Sequence, residues 1–179
     1  MKEVIKITTS LTLVCLVCGL ALALVYGVAK VKIELNEKKM IQDAITRLAP
    51  WAQKIEKMNE VYKLFADDNK LEGYAFLSEG QGYQGKIKIL SAIEYDLKKI
   101  VGIEIIESVE TPGLGAKIQE DEFRNQFKSL DILPAIECIK EETKNKYQIT
   151  AITGATVSSR AVVNILNKKI EELRKELDK

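Results

Sequence analysis

Hydroxyl groups gather at one place in this chain. Thr153-Gly154-Ala155-Thr156-Val157-Ser158-Ser159-Arg160 sets small and hydroxylated residues directly before an amphipathic stretch. Behind it Val162, Leu166, Ile170, Leu173 and Leu177 recur at three- and four-residue spacings with Lys, Arg and Glu between them, the pattern of a helix with one apolar face. The first N–H groups of a helix lack intrahelical partners and lie at the positive end of its dipole, so this loop suits a phosphate. Gly154 and Ala155 keep bulk away from it. Ordinary capping by Ser or Thr accounts for the same residues. The chain has no GxxxxGK followed by Ser or Thr, and no GxGxxG opening a βαβ unit, so the common nucleotide loops are excluded.

A second stretch, Glu110-Thr111-Pro112-Gly113-Leu114-Gly115, has the make-up of a special turn. Pro112 continues neither a helix nor a central strand, while Gly113 and Gly115 allow positive φ and close backbone approach to a flat ligand. Histidine is absent from the whole chain, which removes His-centred triads, HExxH zinc sites and axial-His haem. Redox chemistry must therefore come from a cofactor. Cys15 and Cys18 have CxxC spacing but sit inside an apolar run, where they read as small apolar side chains, and Cys138 is the only other cysteine.

The two stretches carry a resemblance. Thr-Gly-Ala-Thr-Val-Ser at 153–158 resembles the flavinylation signature of the FMN-binding domain family found in RnfG and NqrC subunits, and Thr156 matches the residue esterified by FMN phosphate. Glu110 to Gly115 resembles the family's E-T-P-G-L-G motif, and Gly82-Tyr83-Gln84-Gly85-Lys86-Ile87 its G-Y-x-G strand entry. The order of the three favours the RnfG type, the G subunit of a ferredoxin:NAD oxidoreductase complex. The chain departs from the family in two places: Thr150 stands where an Asp is usual, and Ser108 where a His is frequent.

The resemblance implies covalent FMN on Thr156, with Thr153, Gly154, Ala155, Val157 and Ser158 on one side of the cofactor. Glu110, Thr111, Gly113, Leu114 and Gly115 would form the second wall, and Lys117 a nearby cation. It also implies maturation by a separate flavin transferase and electron relay among the other membrane subunits of an ion-translocating complex. An NqrC-like subunit of a sodium-pumping NADH:quinone reductase, or a non-redox membrane-anchored assembly module, are the alternatives.

The elements that must position these residues follow in order. Ile7 to Val28 is uncharged and apolar, long enough to cross a bilayer in contact with lipid as one helix. A cleaved signal peptide is the runner-up, since Ala21-Leu22-Ala23 resembles a cleavage site. Lys30 to Ala49 is charged and helix-prone, with Val31, Leu35, Ile41, Ile45 and Leu48 as an approximate stripe, and Pro50 interrupts it. Trp51 to Phe65 reads as helix again, with Ile55, Met58, Val61, Tyr62 and Phe65 on one side, ended by Asp67-Asp68-Asn69.

Tyr74–Leu77, Ile87–Ile93 and Ile100–Ile106 read as consecutive antiparallel strands of a meander. Ile87, Ile89 and Ser91 alternate with Lys86, Lys88 and Leu90, a strand with one covered face. Asp121–Ser129 reads as a short helix with Phe123 and Phe127 on one face, Glu141–Lys146 as a charged turn, and Tyr147–Ile152 as the strand that delivers the chain to Thr153.

The expected architecture is α+β: a membrane anchor at 1–30 (spanning about 7–28), a helical stalk at 31–70, and an FMN-binding domain at 71–179 with a small antiparallel sheet and packed helices. A formal net charge of +1, with no Lys/Arg stripe interleaved with aromatics, excludes a nucleic-acid partner. On topology two signals disagree. Lys30, Lys32, Lys38 and Lys39 outnumber Lys2 and Lys6, which by the positive-inside rule puts the domain in the cytoplasm; the resemblance puts it on the outer face. One short flank is the weaker signal, so the outer face is expected.

Overall fold

The computed structural model describes residues 1–179 except 68, 142, 144, 178 and 179, and the side chains of Val31 and Leu177. Parts of the expected turns at 67–69 and 141–146, and one end of each apolar stripe, therefore lie outside the described residues.

The chain divides into two units, Met1–Met40 and Ile41–Lys179. One helix, α1 (Lys2–Leu48), runs through the first and into the second, without a break at Ala21-Leu22-Ala23. In the first unit its apolar side chains are exposed, Leu16, Leu20 and Leu24 among them. It is the one helix among the described residues long and apolar enough to cross a membrane. The Thr8 hydroxyl donates to the Val4 carbonyl at 2.8 Å and that of Thr12 to the Thr8 carbonyl at 2.8 Å, so these polar side chains are satisfied along their own helix.

The second unit is built on a sheet of β1 (Lys54–Met58), β2 (Val61–Phe65), β3 (Leu71–Gln81), β4 (Lys86–Glu94), β5 (Lys99–Ser108) and β6 (Leu130–Asp131), all antiparallel and in sequence order. The expected meander is its centre. A short helix, α2 (Asp121–Arg124), lies between β5 and β6, and after β6 a parallel pair, β7 (Glu137–Ile139) with β8 (Gln148–Thr150), leads into α3 (Thr156–Leu177). Val162, Leu166, Ile170 and Leu173 of α3 share a core with Phe76, Ile87, Ile89 and Ile103 of the sheet. Phe123 and Phe127 meet edge to face within that core at 5.4 Å, as their shared face predicts.

The structure departs from the expected elements in two places. Residues 51–65 are not helical: β1 and β2 form a hairpin that reverses at Asn59 and Glu60, with Asn59 at φ 56°. Ile55, Met58, Val61, Tyr62 and Phe65 satisfy helical spacing, yet the open edge of β3 takes β2 as a ladder partner, and that pairing overrides local periodicity. Second, β4 is covered on both faces. Leu90 and Ala92 pack with Ile41, Ala44 and Ile45 from the end of α1 and with Leu64 and Ala75, a second core that the lysines at 86 and 88 disguise.

A shared carboxylate ties α1, β5 and α2 together. Arg47 meets Glu104 at 3.1 Å, and Arg124 meets the other oxygen of Glu104 as well as Asp121. Glu104 is largely enclosed, so its two cations fix the edge of the sheet more firmly than exposed pairs would.

Candidate functional site

Register brings two loops together at one end of the sheet. Pairing of Ile87 with Ser108 puts the turn between β3 and β4 beside the chain leaving β5. That turn, Gly82 to Gly85, is closed by the Gly82 N–H donating to the Gly85 carbonyl at 2.7 Å. The chain after β5 folds at 110–115, where Leu114 and Ala116 N–H groups donate to the Thr111 carbonyl at 3.2 and 3.1 Å and Gly113 takes φ 76°. A 3₁₀ turn at Gly115–Gln119 follows.

The third component is the start of α3. Gly154 at φ 82° turns the chain out of β8, and the Ala155 N–H donates to the Ile152 carbonyl at 2.9 Å. The Ser159 hydroxyl donates to the Ala155 carbonyl and accepts the Ile152 N–H, each at 3.0 Å, which closes the loop on the helix. β8 is itself held by Gln126: its side-chain oxygen accepts the Thr150 N–H at 2.7 Å and its amide donates to the Thr150 carbonyl at 3.3 Å. Thr150, at the first departure from the family pattern, gives its hydroxyl to the Glu141 carbonyl at 3.1 Å.

The three components enclose a cleft of about 350 Å³, lined by Tyr83, Glu110, Thr111, Leu114, Gly115, Gly154, Ala155, Thr156, Val157 and Ser158. No Lys or Arg is among these residues, so an anion here would rest on helix N–H groups and not on a cation. Tyr83, Leu114 and Val157 are exposed and give the cleft an apolar rim.

Glu110 joins the three components. Only 6% exposed, its side chain accepts the Gln84 N–H on Oε1 at 3.0 Å and the Ser158 hydroxyl on Oε2 at 2.5 Å. Its own N–H donates to Ser108 Oγ at 3.3 Å, which gives the second departure from the family pattern a local role. The cradle is tight: a Cβ on Gly82 would meet Oε1, and one on Gly115 would meet Oε2, with Ser158 Oγ at 2.7 Å.

Most of the expected site residues therefore meet. Gly113 does not line the cleft, and Lys117 and Thr153 line a second one of about 540 Å³ with Glu120, Glu122, Gln126 and Thr150. Tyr83 was not among the expected site residues, although the Gly82-Tyr83-Gln84-Gly85 stretch was the signal for it. Cys138 lies away from the cleft on β7, its thiol pushed up by burial and drawn partly back by Arg160.

Residues 82–171 match the FMN-binding domain family. The G subunit of the proton-translocating ferredoxin:NAD(+) oxidoreductase complex of Clostridium ljungdahlii is 32% identical over 174 residues, covering 96% of this chain and 92% of that protein. The G subunit of the ion-translocating oxidoreductase complex of Methanosarcina acetivorans is 31% identical over 182 residues, covering 95% and 94%. Among solved structures, NqrC of Shewanella oneidensis has this fold with a TM-score of 0.55 at 20% identity, over 66% of this chain and 65% of that one. The C subunit of the Na(+)-translocating NADH-quinone reductase of Parabacteroides distasonis has a TM-score of 0.52 at 25% identity, over 60% and 58%.

The tight cradle makes a prediction about two neighbouring glycines. Gly115→Ala is expected to destabilise by roughly 1–3 kcal/mol through overpacking and to move the Gln84 amide resonance, because the new methyl displaces the carboxyl group it bonds to. Gly113→Ala meets open space and should cost about 1–2 kcal/mol for its positive φ alone, leaving Gln84 unmoved. Urea denaturation and amide spectra test both; an unshifted Gln84 in Gly115→Ala contradicts the arrangement.

Proposed function

Because the chain belongs to the FMN-binding domain family, alongside the G subunits of ion-translocating oxidoreductase complexes, we propose that it is a membrane-anchored flavoprotein subunit relaying electrons through FMN on Thr156. The observation that carries this reading is the state of the hydroxyls around the start of α3. Ser158 is committed to Glu110 and Ser159 to the backbone of Ala155 and Ile152, and both are buried. Thr153 lines the other cleft. Of the hydroxyls at the start of α3, that of Thr156, on the first residue of the helix, is the one that lines the first cleft with no hydrogen-bond partner among the described residues.

Those features suit the group. The orphan N–H groups of the first turn favour a phosphate, and Tyr83, Leu114 and Val157 offer a flat ring system an apolar edge. When bound, the flavin supplies one- and two-electron chemistry that the side chains here lack. Thr156 would be an anchor, holding the group as a phosphoester on its Oγ1, with the AMP half of FAD as the leaving group and the hydroxyl proton released. A separate flavin transferase would perform that step.

The partners of this reading are the other membrane subunits of an Rnf-type complex, with lipid around residues 7–28 and the flavin domain on the outer face of the cytoplasmic membrane. A thiol introduced on the exposed face of α3 should react with an impermeant reagent in intact cells; protection until lysis would place the domain inside. An NqrC-like role in a sodium-translocating NADH-quinone reductase is the second reading, favoured by the shared fold.

The expected mass spectrum of the native protein shows one flavin-phosphate increment on the tryptic peptide that contains Thr156 and ends at Arg160. Thr156→Ala should remove it with at most about 1–2 kcal/mol lost in stability, the worth of a cap, and should bring electron transfer in the purified complex near background. Thr156→Ser keeps a hydroxyl and should retain reduced flavin and activity. A flavin-free Thr156→Ala complex that turns over at the wild-type rate would leave this protein the role of a scaffold.

A further inference from the structure

We infer that Glu110 is a positioning residue for the acceptor hydroxyl: it acts on Thr156 through Ser158, by the reach of its side chain, and touches no part of the cofactor. The inference rests on the flavin-carrier reading above. Glu110 borders the cleft, yet it is 6% exposed and each of its carboxyl oxygens already has a donor, Gln84 N–H on one and the Ser158 hydroxyl on the other. Ser158 stands two residues after Thr156 in the first turn of α3. A bond from its Oγ to a different segment fixes the rotation of that turn against the 110–115 loop, and with it the direction in which Thr156 presents its oxygen.

Geometry and charge can be separated here with little change of volume. In Glu110→Gln the amide oxygen still accepts the Gln84 N–H, and the NH₂ donates to Ser158 Oγ, whose hydroxyl is able to accept. Glu110→Asp keeps the carboxylate but, one carbon shorter, cannot span Gln84 and Ser158. If Glu110 acts by reach, Gln works and Asp fails; if it acts by charge, the order reverses. Transfer of the FMN half of FAD to Thr156 would release AMP and a proton, the loop's contribution being the placement of the accepting oxygen, and misplacement by about 1 Å can cost up to about 10²-fold.

The experiment uses the full chain in detergent, FAD and a flavin transferase, and measures the rate of covalent flavin incorporation. Glu110→Gln should load within about threefold of wild type, whereas Glu110→Asp and Ser158→Ala should lose at least about tenfold in kcat with KM for the acceptor protein unchanged. The double variant Glu110→Asp/Ser158→Ala should be no worse than Glu110→Asp, because both act on one bond. Loading by Glu110→Asp but not by Glu110→Gln, or multiplying losses in the double variant, would each overturn the inference. If Glu110→Asp fails to fold, Glu110→Gln and Ser158→Ala decide alone. A wild-type chain that takes up no flavin would instead sink the carrier reading, before any variant is compared.

Discussion

A buried carboxyl group sits where three chain segments meet, and the cleft depends on it. Removing a carboxylate from water costs on the order of several kcal/mol unless hydrogen bonds compensate, so a fold that encloses one must also supply its donors. Here a backbone N–H comes from the Gly82–Gly85 turn and a hydroxyl from the first turn of α3, while Gly82 and Gly115 leave the room. The donors come from different strand connections, so the group is satisfied only when β3, β4, β5 and α3 are all in place. The cleft is thus a consequence of tertiary packing and not of any one loop.

That packing is set some distance away. The antiparallel register of β4 and β5 brings the two sheet loops to the same end, and the apolar face of α3 seats the helix on the sheet with its N-terminus at that end. Gln126 holds the backbone of Thr150 from both sides, so the strand entering the hydroxyl loop is anchored before the turn at Gly154. Between those anchors the Thr156 hydroxyl is left without a partner among the described residues. In the flavin-carrier reading that hydroxyl, beside the free N–H groups of a helix start, is where the phosphate is held.

The site was more legible in the sequence than the scaffold around it. Left-handed turns and close backbone approaches leave glycines behind, and hydroxyl runs at a helix start are visible in residue type, so Gly113, Gly154 and Thr156 could be singled out from spacing and family resemblance. Lys117 misled because nearness in sequence to the 110–115 loop does not fix direction: the 3₁₀ turn at Gly115–Gln119 carries it to the neighbouring cleft. The β1–β2 hairpin was hidden because its apolar residues fit two periods, and only Asn59, at a left-handed φ, marked the reversal. The short β7 carries too few residues for any period, and the second core beneath Leu90 and Ala92 is formed by a segment of α1 far away in the chain.

Phosphorus NMR of the native protein reads whether the flavin phosphate is esterified to Thr156. A phosphate bonded to both riboflavin and Thr156 is a diester without the second ionisation near pH 6 that a phosphate monoester shows. If it is so esterified, one phosphorus resonance is expected that survives unfolding and dialysis and does not move between about pH 5 and pH 8. A resonance that titrates through that range, or one that dialyses away with the unfolded chain, would contradict it.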